Sequence, residues 1–96
     1  MVGEEKHNLV SIIIPCYNEE KFISLCLDCI IANDYSKDKL EVLVVDGLSN
    51  DGTREIVARY AQQQPFIRLL DNYKKLTSVA FNIGVKNAKG DVIMIM

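Results

Sequence analysis

Short apolar runs alternate along this chain with stretches in which apolar residues return every three to four positions. The first run, Leu9 to Ile14, is dense in Val and Ile, as strands buried on both faces of a parallel sheet are. Phe22, Ile23, Cys26, Leu27, Ile30 and Ile31 then fall at helical spacing. A second run, Leu40 to Asp46, is followed by the stripe Ile56, Val57, Tyr60 and Ala61, which stops before Pro65. Phe66 to Leu70 reads as a third strand and Val79, Ala80, Ile83 and Ala88 as a third helix from about Leu76. Val92 to Met96 reads as a fourth strand. Strands alternating with helices predict βαβ units and a parallel sheet.

Local chemistry sets the expected boundaries. Pro15 lacks an N–H and is expected to end the first strand. Asn18 is a good N-cap, with Glu19 and Glu20 favouring the first turn of helix one. Ser49, Asn50 and Asp51 are helix-start residues, and Gly90 is expected to close helix three. If helix three returns the chain to the far side of strand one, the order is 3-2-1-4. Right-handed crossovers then put helices one and two on one face and helix three on the other. Ligands of such sheets sit beyond the carboxyl ends of the strands, near the reversal of order. Pro15 to Glu19, Asp46 to Ser49 and Asp71 to Lys75 would meet there.

Composition narrows the function classes. Ninety-six residues, 49% hydrophobic and 25% charged, make one compact domain or part of one. A net charge of −2 without a basic block gives no footprint for nucleic acid. Residues 1–8 carry no apolar stretch and read as a flexible tail rather than a signal peptide, with His7 solvated. The apolar runs are too short to span a bilayer. Three cysteines form no disulfide framework and fit a reducing, cytoplasmic compartment. Cys26 and Cys29 lie in mid-helix, away from the helix start where a redox thiolate is stabilised, and read as structural thiols.

A dinucleotide or P-loop fold needs a glycine-rich turn after strand one. Pro15-Cys16-Tyr17-Asn18-Glu19-Glu20 stands there instead, with two carboxylates that repel bare phosphate. An acid at a strand end is also common turn chemistry, so Asp46 and Asp51 read either as caps or as ligand acceptors. Tyr17 reads as a half-buried aromatic or a site residue, and Glu19 as a helix-dipole partner or a ligand contact. A receiver-like domain also clusters acids at strand ends, with Asp71 as its acceptor candidate.

The segments "SIIIPCYNEE", "VLVVDGLSNDGT" and "NIGVKNAKGDVIMIM" resemble three successive motifs of the inverting family-2 glycosyltransferases, closest to the succinoglycan-biosynthesis type. The resemblance covers nearly all of the chain after Asn8. It implies a GT-A fold, a nucleotide-diphosphate-sugar donor, commonly UDP-linked, and transfer to a glycan or lipid-linked acceptor in polysaccharide biosynthesis. It implies that Pro15, Tyr17 and Glu19 flank the base and ribose. Asp46, with Ser49 beside it, would accept a hydrogen bond from a uracil ring N–H. Lys74 and Lys75 would approach the diphosphate, and Asn82 and Gly84 would serve positioning and close packing. Gly47 and Leu48 depart from the commonest family form, which has an acid and a glycine there. The family's Asp-x-Asp, which holds Mg2+ or Mn2+, is expected just after Met96, and the catalytic base further on. Residues 9–96 are therefore expected to be the donor-nucleotide half of a longer cytoplasmic or membrane-face enzyme, inactive alone. Self-association through Val92 to Met96 is expected from its apolar edge, and a purely assembling, non-catalytic fragment is the remaining alternative.

Overall fold

The computed structural model describes residues 8–96. The predicted tail, His7 included, lies almost wholly outside them. In chain order the elements are β1 (Val10–Cys16), α1 (Ile23–Ala32), β2 (Leu40–Asp46), α2 (Thr53–Gln63), β3 (Ile67–Asp71), α3 (Thr77–Asn87) and β4 (Val92–Ile95). A single 3-10 turn, Lys37–Lys39, leads into β2.

The four strands form one parallel sheet in the order β3-β2-β1-β4, as the crossover rule predicts. Side chains alternate across it. Ile12, Ile14, Val42 and Val44 pack with Ile23, Leu27, Ile30 of α1 and Val57 of α2. Ile13 and Val45 pack with Ala80 and Ile83 of α3 on the opposite face. β2 is buried along its whole length, so its hydrophobic run is continuous rather than alternating. Gly84 lets α3 approach: a Cβ there would lie 2.6 Å from Ile13 Cγ2, which accords with the close-packing role expected for it.

Three local expectations are corrected. Pro15 does not end β1, since it sits in the ladder opposite Val45. Its neighbours explain why. Cys16 O accepts from Gly47 N, so even-numbered residues of β1 face β2. Ile13 O accepts from Met96 N, so odd-numbered residues face β4. The absent Pro15 N–H therefore points away from β2, and the ladder to β2 loses no bond. Asn18 is not the N-cap of α1, which starts at Ile23 after a turn closed by Phe22 N and Ile23 N on Glu19 O. Gly90 does not close α3 in a left-handed conformation, because Ala88 is the C-cap. Gly90 instead permits a close approach to β1, where a Cβ would meet Leu9 O at 2.8 Å.

β4 bonds only to β1 among the described residues. Val92, Ile93, Met94, Ile95 and Met96 are all exposed. No described helix is long and apolar enough to cross a membrane.

Candidate functional site

Three loops converge at the carboxyl ends of the strands. Each contains a non-glycine residue in the left-handed region: Asn18 after β1 (φ 51°), Leu48 after β2 (φ 61°) and Lys75 after β3 (φ 62°). Such backbone persists only where its surroundings over-determine it, and it concentrates at functional sites.

The first two loops are cross-bonded. Asn18 N–H donates to Ser49 Oγ at 2.7 Å, and Asn50 N–H returns to Asn18 Oδ1 at 2.9 Å. Glu19 N–H donates to Thr53 Oγ1 at 2.8 Å. Glu20, expected to serve its own helix, instead accepts from Gly52 N–H at the start of α2, at 2.6 Å. A carboxylate at that helix N-terminus is well placed against the dipole, but across loops rather than along the chain. Gly52, not Asp51, is the N-cap of α2; Asp51 stands one residue earlier and closes an Asx turn, accepting from Thr53 N–H at 2.9 Å. Desolvation acts to raise its carboxyl, yet hydrogen bonds from Thr53 and Glu20 outweigh that and hold it below its ordinary value.

Asp46 is fully buried at the end of β2. Its Oδ2 accepts from Ser49 N–H at 2.8 Å and from Arg54 Nη1 at 2.9 Å, and its Oδ1 from Ser49 Oγ at 2.5 Å. A carboxylate offers about four acceptor positions, so three donors leave one open, on Oδ1. Arg54 also reaches Asp71 Oδ1 with Nη2, at 2.6 Å. One guanidinium thus bridges two acids that are register partners on β2 and β3. Hydrogen bonds to Asp71 and then Asp46 push its pKa up further, so it stays charged.

A cleft of about 220 Å³ opens beside this triad, lined by Pro15, Tyr17, Glu19, Gly47, Asn72 and Lys75 among others. Lys75 Nζ lies 4.9 Å from the centre of the Tyr17 ring, a cation–π distance. Both side chains rest against Gly47, where a Cβ would meet Tyr17 Cδ1 at 3.5 Å and Lys75 Cγ at 3.6 Å. The buried Asn72 shapes the third loop: its N–H donates to Asp46 O, and its Oδ1 accepts from Lys74 N–H and Lys75 N–H. Cys16 forms part of the wall. Burial first, then Asp46, Glu19 and Asp51, push its thiol up to about 12, so it stays protonated and is no nucleophile.

Of the residues singled out from sequence, Pro15, Tyr17, Glu19 and Lys75 line the cleft. Asp46 and Ser49 stand behind its wall, bonded to each other. Lys74 is exposed and outside the lining, and Asn82 is exposed on α3. Arg54, Asn72 and Cys16 were missed. Asn72 carried one legible signal, an Asn directly after a strand-ending acid. Arg54 carried none, since a charged residue in a first helical turn reads as solvated.

The described residues contain no group of three His, Cys, Asp or Glu side chains able to hold a metal. Asp46 and Asp71, the nearest pair of strand-end acids, are already spanned by a guanidinium and do not fit a cation. Asp71 is likewise no free acceptor of the receiver type.

An α/β sheet with a polar, cross-bonded cleft at its carboxyl ends is the architecture of a doubly wound, ligand-binding fold. The pattern of glycosyl transferase family 2 matches residues 11–96, and the chain belongs to that family. It is 41% identical over 90 residues to a dolichyl N-acetyl-alpha-D-glucosaminyl phosphate 3-beta-D-2,3-diacetamido-2,3-dideoxy-beta-D-glucuronosyltransferase of Methanococcus voltae, covering 92% of this chain and 28% of that protein. Among solved structures, the mannosyltransferase of Pyrobaculum calidifontis in complex with GDP-Man and Mn2+ superposes with a TM-score of 0.83 at 36% identity, over 92% of this chain and 26% of its own. TarS of S. aureus in complex with UDP-GlcNAc gives 0.79 at 29% identity, over 91% of this chain and 25% of its own. The chain thus spans about a quarter of the length of these relatives. A succinoglycan biosynthesis protein of Rhizobium meliloti is one relative among several, at 38% identity over 74 residues, so no special closeness to that branch holds.

Proposed function

We propose that residues 9–96 form the donor-nucleotide half of an inverting glycosyltransferase, acting in polysaccharide assembly at the cytoplasmic face of a membrane. Its donor is a UDP-linked sugar and its acceptor a glycan or lipid-linked glycan. The observation that carries this reading is the cleft lined by Tyr17, Glu19, Gly47 and Lys75, with Asp46 next to Gly47 at the end of β2. Tyr17 offers a face for a base and Glu19 accepts from ribose hydroxyls. Lys75, with Lys74 beside it, meets the diphosphate. The Lys75–Tyr17 stack rests on Gly47, the residue after Asp46, so a base that reaches Asp46 displaces that stack. Relatives carry both UDP-GlcNAc and GDP-Man. A cleft of about 220 Å³ favours the smaller pyrimidine. It lies below the roughly 300–1,000 Å³ of pockets that engulf a drug-sized ligand, which suits a nucleoside subsite rather than a whole donor.

In this reading the metal-binding acids and the general base lie beyond residue 96, and Mg2+ or Mn2+ neutralises the departing diphosphate in the whole enzyme. The 96 residues alone bind nucleotide without transferring sugar. Calorimetric titration with UDP, GDP, CDP and ADP, each with and without Mn2+, tests this. Weak, UDP-preferring, metal-independent binding that Asp46→Ala abolishes is expected. Equal affinity for all four bases sinks the reading. The reading also includes self-association through β4, whose outer edge is unpaired among the described residues and whose side chains are exposed. Light scattering should give a mass that rises with concentration and that Met94→Lys returns to monomer. A concentration-independent monomer removes that element alone.

A further inference from the structure

We infer that Arg54 is a positioning residue that sets base specificity by confining Asp46 to one open acceptor position; this rests on the donor-nucleotide reading. Three features combine. Ser49 grips both oxygens of Asp46, one through its N–H and one through its hydroxyl. Arg54 Nη1 fills the remaining position on Oδ2. Asp71 holds the other arm of the same guanidinium, so the fork cannot rotate away without breaking a second charged hydrogen bond.

The consequence is chemical. A carboxylate with one open lone pair, on Oδ1, presents a single fixed acceptor. It matches a ring imide N–H, the donor of uracil. Cytosine has no proton on the corresponding ring nitrogen and offers an exocyclic amine displaced to one side. With Oδ2 also open, the carboxylate could take that amine as well, and preference between the bases would fall. Arg54 touches no base in this scheme. It acts through Asp46, and its own anchor is Asp71 at the end of the neighbouring strand. Lysine is no substitute, since a point charge reaches one acid where the planar fork spans two.

The test is titration of the 96-residue chain with UDP and with CDP. The variants are Arg54→Met, Arg54→Lys and, as a stability control remote from the cleft, Glu41→Ala. Circular dichroism establishes folding for each. Arg54→Met is expected to weaken UDP about tenfold or more, the scale of one charge-assisted hydrogen bond, and to bring the UDP-to-CDP ratio towards one. Arg54→Lys should fall between Arg54→Met and wild type. Glu41→Ala should lower the thermal midpoint and keep the wild-type ratio. A folded Arg54→Met that retains the wild-type ratio overturns the inference, as does a ratio that falls equally in Glu41→Ala, since Arg54 would then only support the fold. A wild type that does not distinguish UDP from CDP removes the donor reading itself and this inference with it.

Discussion

β2 carries a buried carboxylate near each end, and the two do different work. Glu41 lies near the amino end, on the α3 face of the sheet. Its Oε1 accepts from Ser11 Oγ at 2.6 Å and from Lys89 N–H at 2.9 Å, while Arg68 approaches Oε2 at 3.4 Å. Gly90 N–H in turn donates to Ser11 Oγ at 2.9 Å. Those donors come from β1, β3 and the α3–β4 connection, so Glu41 is consumed in closing the fold. Asp46 lies at the carboxyl end, on the other face, and draws its donors from α2 and from the loop whose Gly47 lines the cleft. One position is left unused. The same functional group is thus a fastener at one end of a strand and, in the proposed function, an instrument at the other. The difference lies in which segments supply the protons.

Breaking either end should separate stability from binding. Asp46→Ala strands Arg54 and Ser49 and is expected to cost about 3 kcal/mol, towards the lower end for an opened buried pair because Arg54 is one-third exposed. Urea unfolding measures this, and nucleotide binding should vanish with it. Glu41→Ala should cost about 2 kcal/mol, leaving Ser11 and Lys89 N–H without their acceptor, while nucleotide affinity stays unchanged. Loss of affinity there would erase the distinction between the two ends. Gly90→Ala forces a Cβ against Leu9 O and Ser11 N, both at 2.8 Å, and should cost roughly 1–2 kcal/mol, again without a binding defect.

The smallest effect concerns pH at the cleft end. Asp51 sits below its ordinary value of 3.8 in the folded chain. Its contribution to stability is therefore present above that value and lost as pH falls through the lower folded one. Acid titration followed by circular dichroism should show wild type losing stability below about pH 3.8. Asp51→Asn should remove that part of the slope, and an unchanged slope would place the acid sensitivity elsewhere.

The strand order and the division of helices between faces were legible because hydrophobic periodicity reports burial, and burial on both faces leaves continuous runs such as Val42 to Val45. Tyr17, Glu19 and Lys75 were legible as members of the strand-end loops, together with the motifs that carry the family. What escaped depends on partners distant in sequence. Asn18 and Glu20 were read as serving α1, but their side chains satisfy Asn50 and Gly52 at the start of α2. Capping rules assume a local partner, and here the partner crosses from the neighbouring loop. Arg54 was invisible for the same reason, since its two acids lie 8 and 17 residues away.

Pro15 sets a limit on the sheet. The next rung from β1 to β4 would need a proton from Pro15 donated to Met96 O, and proline has none. A strand laid along the outer edge of β1 in that register therefore finds one proton missing at Pro15, the residue that also lines the cleft. A single imino acid thereby works as a dropped stitch, loosening the seam beside the polar loops by one bond while the fabric on the β2 side stays whole.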